Sequence, residues 1–92
     1  RMIRKHIIFS GCVQGVGFRW RARKAAEMYG VIGWVRNDWN GTVTMEVQGT
    51  EKQIEAVILA IQRGMYIRID HMDSQTIPVD PDERGFRTEY DR

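Results

Sequence analysis

The sequence predicts an α+β domain in which two helices cover one face of an antiparallel sheet. Three observations support this: an apolar run that leads through a glycine-rich turn into an amphipathic helix, an Asn-Gly hairpin signal, and a capping box that opens a second amphipathic helix. In chain order the elements give β-α-β-β-α-β with a short extra strand, the split β-α-β arrangement. The 92 residues, 42% of them hydrophobic, fit one domain over residues 1–92.

The first strand and the first helix flank the stretch Gly11–Arg19, GCVQGVGFR. Residues 5–13 contain a nearly continuous apolar run, typical of a central strand that is covered on both faces. The helix is predicted to begin at Phe18 and to end at Gly30, because glycine favours the left-handed conformation that follows a helix. Its apolar residues share one face: Phe18, Ala22, Ala25, Ala26 and Tyr29.

A hairpin is predicted after the helix. Residues 31–38 read as a strand, and Asn40-Gly41 is a strong signal for the turn that follows it. The return strand alternates Val43, Met45 and Val47 with polar residues, so one of its faces is expected to be buried.

The last part of the chain is predicted to supply a helix and two strands. Thr50 and Gln53 form the capping box, and Gly64 is expected to close the helix. Its apolar face is predicted to hold Ile54, Val57, Ile58 and Ile61. Residues 66–77 read as a fourth strand, and alternation at Phe86, Thr88 and Tyr90 predicts a final one.

Charge is distributed unevenly along the chain. Residues 1–36 contain eight basic residues and one acidic residue, whereas residues 37–92 contain six basic and eleven acidic residues. The basic half suits an anionic ligand. A single cysteine excludes an internal disulfide, and the two histidines lie in separate segments, so neither a metal nor another cofactor is implied. No apolar run reaches the length of a membrane span, and we expect a cytoplasmic monomer.

The Gly11–Arg19 stretch is predicted to bind an anion through its backbone. It lies between a strand and a helix N-terminus, where amides are unpaired and the helix dipole is positive. Gly15 and Gly17 allow positive φ, so that successive amides can point into one concavity. Arg19 in the first turn opposes the helix dipole, a conflict that a bound anion would remove. A tight structural turn is the simpler alternative.

Two other functions use similar residues. Tyrosine phosphatases need five residues between cysteine and arginine, but six separate Cys12 from Arg19, so Cys12 is interpreted as a small, partly buried residue. The stretch 14–21 also overlaps the RNA-recognition octamer, although Val16 and Arg21 stand where stacking aromatics are required. The three tryptophans are interpreted as core and rim packing residues.

The motifs resemble those of a known family. Gly11–Arg19, followed by Gly33–Asn37 (GWVRN) and Gly41–Val43 (GTV), is similar to the acylphosphatases over essentially the whole chain, including Phe86 in the last strand. The resemblance implies a ferredoxin-like α/β sandwich. It also implies metal-free hydrolysis of a carboxylic-phosphoric anhydride to a carboxylate and orthophosphate.

The resemblance also assigns roles to residues. Arg19 would bind the phosphoryl group together with the backbone amides of Gln14, Gly15, Val16, Gly17 and Phe18. Asn37 would hold the attacking water, and Thr42 would support the asparagine. Asp38 departs from the family pattern and adds a negative charge near an anion site, but strand alternation should direct its carboxylate away from the ligand of Asn37.

The expected partners are a small acyl phosphate and inorganic phosphate, with no nucleic acid and no membrane. Two alternatives stay open: an RNA-binding module of the same fold, and a carbamoyl-phosphate-handling acylphosphatase-like domain of the kind found in hydrogenase maturation proteins. The acyl group of the substrate is not identified by the motifs.

Overall fold

The chain folds into a two-layer α+β sandwich, described over residues 1–91 by a computed structural model. Two helices pack on a five-stranded sheet of strand order β4-β1-β3-β2-β5, and the predicted ferredoxin-like class is confirmed. The elements, in chain order, are β1 (Met2–Cys12), α1 (Phe18–Tyr29), β2 (Ile32–Asn37), β3 (Val43–Thr50), α2 (Glu51–Gln62), β4 (Arg68–Ile77) and β5 (Phe86–Tyr90).

The sheet is mixed, which the sequence did not predict. β1 pairs antiparallel with β3 and β4, and β2 pairs antiparallel with β3, but β5 runs parallel to β2. A parallel neighbour cannot be joined by a tight hairpin. Here the chain crosses from β4 at one edge to β5 at the other through residues 78–85.

The predicted helix boundaries follow from local signals and are close to those observed. Gly30 ends α1 with φ 76°, and its amide donates to the carbonyl oxygen of Ala26. Thr50 and Gln53 form both hydrogen bonds of the capping box. The second helix ends at Gln62, slightly before the glycine that was expected to close it.

Strand starts differ more from the predictions. β1 begins at Met2 because its first residues pair with the end of β3, from Met2 opposite Thr50 onwards. β4 begins at Arg68, opposite Cys12, and not at Tyr66. Pairing between distant strands sets both boundaries, and no local sequence pattern reports it.

The core lies between the helices and the sheet. Val43, Met45 and Val47 of β3 are fully buried, as the alternation predicts. Phe9 of β1 packs edge-on against Phe18, the first residue of α1, with 5.0 Å between the ring centroids. This contact fixes the start of α1 relative to the end of β1. The remaining buried helix residues are Ala22, Ala25 and Ala26 of α1 and Ile54, Val57 and Ile61 of α2.

The tryptophans were interpreted as core and rim packing residues, and the core part of that interpretation was wrong, because none of the three is buried. Trp20 and Trp39 are exposed, and Trp34 is half-buried on the face of the sheet away from the helices. Small residues fill the helix–sheet interface instead, since three of the four buried positions of α1 are alanines. Neither helix within residues 1–91 is long and apolar enough to cross a bilayer.

Candidate active site

The glycine-rich loop and Asn37 lie at the same end of the sheet, where strands β1 and β2 finish. β1 and β2 lie on either side of β3 and both run antiparallel to it, so they run in the same direction. Val43, the first residue of β3, lies opposite both Phe9 of β1 and Asn37 of β2. The carboxyl ends of β1 and β2 therefore lie at the same end of the sheet, and α1 begins there.

The loop between β1 and α1 packs apolar side chains against the core and exposes its glycines to solvent. Val13 and Phe18 are buried, and Val16 packs against the core. Gly15 and Gly17 are exposed, with φ of 73° and 84°, and among residues 1–91 no atom beyond their own chain neighbours lies within 4 Å of the position that a Cβ would take. Side chains thus face inward while the backbone faces outward, an arrangement that leaves the loop amides accessible to a ligand.

No side chain in the described part of the chain, residues 1–91, caps the N-terminus of α1. Gly17 occupies the N-cap position in the left-handed conformation, and no acidic residue stands in the first turn. Four amides at a helix start lack intrahelical partners, and the helix dipole adds a partial positive charge there. An anion can satisfy both.

Arg19 is a half-buried cation that has no carboxylate partner among residues 1–91. Two other cations of α1 have partners of their own. The Arg21 guanidinium donates to the carbonyl oxygen of Ala60, and Lys24 lies over the Trp20 ring. Within residues 1–91, Arg19 makes no side-chain hydrogen bond or salt bridge, and it lies one residue beyond the start of α1. A planar guanidinium of this kind is suited to bidentate binding of an oxyanion.

Asn37, the last residue of β2, carries an unsatisfied polar atom. Its Oδ1 is buried and has no hydrogen-bond partner in the described part of the chain, the one such side-chain atom there. Asn37 lies on the same face as Val35, the face that α1 covers. Buried polar atoms are nearly always hydrogen-bonded, so the unpaired Oδ1 at this end of the sheet indicates a position for a ligand or a water molecule.

Asp38 lies on the opposite face of the sheet, as strand alternation predicts. Its carboxylate accepts hydrogen bonds from the Thr44 hydroxyl at 2.6 Å, the Thr42 hydroxyl at 2.8 Å and Arg36 Nε at 2.8 Å. Burial alone would raise the pKa of Asp38, but these hydrogen bonds outweigh it and lower the pKa below its ordinary value. The negative charge expected near the anion site is therefore neutralised by local partners.

Thr42 contacts Asp38 and not the asparagine that it was expected to support. Its hydroxyl lies 2.8 Å from Asp38 Oδ2 and 2.8 Å from Asn40 Oδ1. Any support that it gives to Asn37 is thus indirect, through the shape of the turn at residues 38–42.

The Gln14 side chain is a feature that sequence reasoning missed. Only its backbone amide was expected to take part, but its Nε2 donates to the carbonyl oxygens of Asp38 at 2.7 Å and Thr42 at 2.8 Å. These partners are 24 and 28 residues away in the sequence. No local signal could have indicated the contact.

Cys12 ends β1 and is half-buried, in agreement with its interpretation as a small, partly buried residue. The stretch 14–21 occupies a loop and the first turns of α1, so its glycines and Phe18 do not lie on a strand. The aromatic stacking surface of the RNA-recognition motif is a sheet face, and this stretch does not provide one.

Two helices on a five-stranded mixed sheet form the ferredoxin-like α+β fold that solved acylphosphatase structures share. The acylphosphatase family model matches residues 5–88 of the chain. The chain belongs to the acylphosphatase family.

Individual relatives agree with this membership. An acylphosphatase from Geobacillus thermodenitrificans is 40% identical over 90 residues, which cover 97% of this chain and 96% of that protein. The crystal structure of an acylphosphatase from Bacillus subtilis superposes with a TM-score of 0.87 at 26% identity, covering 96% of this chain and 99% of that one. Full-length HypF in its phosphate- and nucleotide-bound form matches 97% of this chain with 12% of its own, at 32% identity and a TM-score of 0.85.

Proposed function

We propose that the chain hydrolyses the carboxyl-phosphate anhydride bond of small acyl phosphates to a carboxylate and orthophosphate. The observation that supports the proposal, beside the family membership, is that the half-buried Arg19 at the start of α1 and Asn37 at the end of β2 belong to segments at the same end of the sheet, and that Asn37 Oδ1 is a buried acceptor. The first offers a charge to a phosphoryl group. The second offers a hydrogen-bond acceptor to a water molecule.

In the proposed mechanism, the phosphoryl oxygens bind the backbone amides of Gln14, Gly15, Val16, Gly17 and Phe18. Arg19 adds a bidentate contact and stabilises the charge on the equatorial oxygens in the transition state. Asn37 accepts a hydrogen bond from the attacking water and holds it in line with the bond that breaks. Thr42 supports this arrangement through the 38–42 turn.

Positioning replaces acid–base catalysis in this proposal. Asparagine cannot act as a base. The leaving carboxylate has a conjugate acid with a pKa of about 4 and needs no proton. Neither a metal nor a cofactor is required, since the guanidinium and the amides supply the positive charge. A phosphate monoester has a poorer leaving group, so activity on serine or tyrosine phosphate should be weak or absent.

Carbamoyl phosphate is the second candidate substrate, and it rests on the resemblance to the acylphosphatase-like domain of hydrogenase maturation proteins. The carbamoyl-phosphate alternative uses the same phosphoryl site and differs only in the acyl group. A comparison of kcat/KM for carbamoyl phosphate and a simple acyl phosphate would separate the two. The RNA-binding alternative has no such support. A monomeric, cytoplasmic protein that binds no nucleic acid, folded as one domain over residues 1–92, remains the expectation.

Hydrolysis of a simple acyl phosphate in the presence of excess chelator tests the proposal, with Arg19→Ala measured alongside. We expect turnover by the wild-type protein and none above background by the variant. Activity that needs an added metal ion, or that survives the substitution, would contradict the proposed mechanism.

A further inference from the structure

The side chain of Gln14 links the two halves of the candidate site. Its backbone belongs to the loop between β1 and α1, whereas its side-chain amide reaches the turn that follows β2. Nε2 donates one hydrogen to the carbonyl oxygen of Asp38 and the other to that of Thr42, at 2.7 and 2.8 Å. Both donors of the amide are thus used in one place, and each bond is partly shielded from water.

The two acceptors lie on either side of the same turn. The amide of Asp38 donates to the Thr42 carbonyl oxygen at 2.9 Å, and the amide of Gly41 donates to the Asp38 carbonyl oxygen at 3.1 Å. The carboxylate of Asp38 also binds Thr42 and Thr44 from the other face of the sheet. These hydrogen bonds hold the turn together internally. The two bonds from Gln14 attach the turn as a unit to the loop between β1 and α1.

Asn37 directly precedes this turn, and its backbone pairs with Val43 of β3 and Tyr90 of β5, so the turn adds to the constraint that the sheet places on Asn37. Gln14, which binds the turn, also supplies the first of the backbone amides of residues 14–18, which together form the proposed phosphoryl cradle. In addition to the sheet, one side chain thus joins the cradle loop directly to the turn that follows Asn37. Catalysis by positioning is sensitive to the distance between the cradle and Asn37, because a displacement of about 1 Å can reduce a rate by about 10²-fold.

We propose that Gln14 is a positioning residue that holds Asn37 in register with the phosphoryl cradle. The proposal rests on the hydrolase function proposed above and gives the side chain of Gln14 a role in holding the water, separate from the role of its backbone amide in binding the phosphoryl group. A merely structural role, in which Gln14 satisfies two turn carbonyls, would lower the stability of the protein without selecting between turnover and phosphate binding.

The test compares Gln14→Met, which keeps the length of the side chain and removes both donors, with the wild-type protein. We expect kcat for a simple acyl phosphate to fall about 10-fold while the inhibition constant of inorganic phosphate changes by less than about threefold. Gln75→Met on the exposed strand β4 is the matched control and should leave both values unchanged. A parallel loss of phosphate binding and turnover would overturn the proposal.

A double-mutant cycle identifies the residue through which Gln14 acts. In the Asn37→Ala background, Gln14→Met should reduce the remaining single-turnover rate by less than about twofold, because the group that it positions is gone. Losses that multiply in full would show independent action and overturn the proposal. Gln14→Glu, which places two acceptors against two carbonyls, should reduce kcat at least as much as Gln14→Met.

Amide hydrogen exchange separates this proposal from the proposed function. The amides of Asp38 and Gly41 close the turn, and they should exchange at least about threefold faster in Gln14→Met than in the wild-type protein. Faster exchange with unchanged kcat would overturn the positioning role and leave the hydrolase function intact. Absence of hydrolysis by the wild-type protein would overturn both.

Discussion

Arg4 and Glu83 form a buried ion pair, with 2.8 Å between Arg4 Nη2 and Glu83 Oε1, although 79 residues separate them in the chain. Their side chains are 4% and 5% exposed. Arg4 also binds Glu46 and Gln48 of β3, and Glu83 also binds Arg87 of β5. The pair thus ties the 78–85 connection to the face of the sheet that carries no helix.

Removal of one partner should cost more than removal of an exposed ion pair. Glu83→Ala leaves Arg4 buried with one fewer carboxylate, and we expect the free energy of unfolding to fall by about 3 kcal/mol, the lower end for a broken buried pair, because Glu46 remains. Glu89→Ala removes an exposed partner of Arg87 and should cost at most about 1 kcal/mol. Urea denaturation measures both values, and equal costs would contradict the prediction.

The acid stability of the protein should depend on the same carboxylate. Burial alone would raise the pKa of Glu83, but hydrogen bonds from Arg87 and Arg4 outweigh it and hold the pKa below its ordinary value. A carboxyl with a lowered pKa in the folded state contributes stability that is complete above its unfolded pKa, about 4.3 for glutamate. That contribution is lost as the pH falls through the folded-state pKa.

The free energy of unfolding of the wild-type protein should therefore fall below about pH 4, and Asp38, whose pKa is also lowered, should add to the decrease. In Glu83→Ala the decrease between pH 5 and pH 3 should be smaller. Denaturation curves at several pH values measure this difference. Identical acid slopes in the two proteins would show that Glu83 does not contribute.

The helices could be predicted from the sequence because their signals are local. The capping box, the glycine after α1 and the apolar periodicity all lie within a few residues of the structure that they specify. The alternation in β3 is local as well, and it placed Val43, Met45 and Val47 in the core.

Burial on the other face of the sheet could not be predicted. The same alternation places Thr44 and Gln48 on the face without helices, yet both are buried. Gln48 is covered by the 78–85 connection, with its Oε1 accepting from the amide of Asp80 at 2.9 Å. The crossing of this connection depends on the parallel β2–β5 pair, which is set by contacts between distant segments.

In the candidate site, too, some features are specified by local sequence and others by contacts between distant segments. Arg19 and the loop glycines lie in one motif, and their chemistry can be read from residue types and spacing. The side-chain bond from Gln14 to the 38–42 turn depends on the order of the strands, because β1 and β2 must flank β3 before the two segments meet. The meeting of Asn37 with the loop was expected through family resemblance and not through residue spacing.

Arg19→Ala should abolish turnover, and Arg19→Lys should recover little of it. Lysine keeps the charge but loses the planar pair of donors that matches two phosphoryl oxygens. We expect inhibition by inorganic phosphate to weaken in both variants. Steady-state kinetics with a simple acyl phosphate measure the effect, and near-wild-type turnover in Arg19→Lys would contradict the proposed role.

Arg23→Lys is the matched control, since Arg23 lies on an exposed part of the same helix. It should leave kcat and phosphate inhibition unchanged. A loss as large as that of Arg19→Lys would indicate that any arginine-to-lysine change in α1 disturbs the site, and would remove the special role assigned to the guanidinium of Arg19.

Cys12→Ser should leave the rate nearly unchanged. The cysteine ends β1, one residue too far from Arg19 for the spacing of the thiolate phosphatases, and in the proposed mechanism water is the nucleophile. Rates after treatment with a thiol-alkylating reagent are less informative, because a bulky adduct at a half-buried residue can disturb the loop. Loss of activity in the serine variant would support a covalent mechanism instead.

Asn37→Ala should reduce kcat by on the order of 10²-fold or more while binding of inorganic phosphate is largely kept. The variant removes the buried acceptor at the end of β2, whereas the loop amides and Arg19 lie on other segments. Turnover and phosphate inhibition measured on the same preparation separate the two effects. Loss of phosphate inhibition would make Asn37 a ligand of the phosphoryl group and not the residue that holds the water.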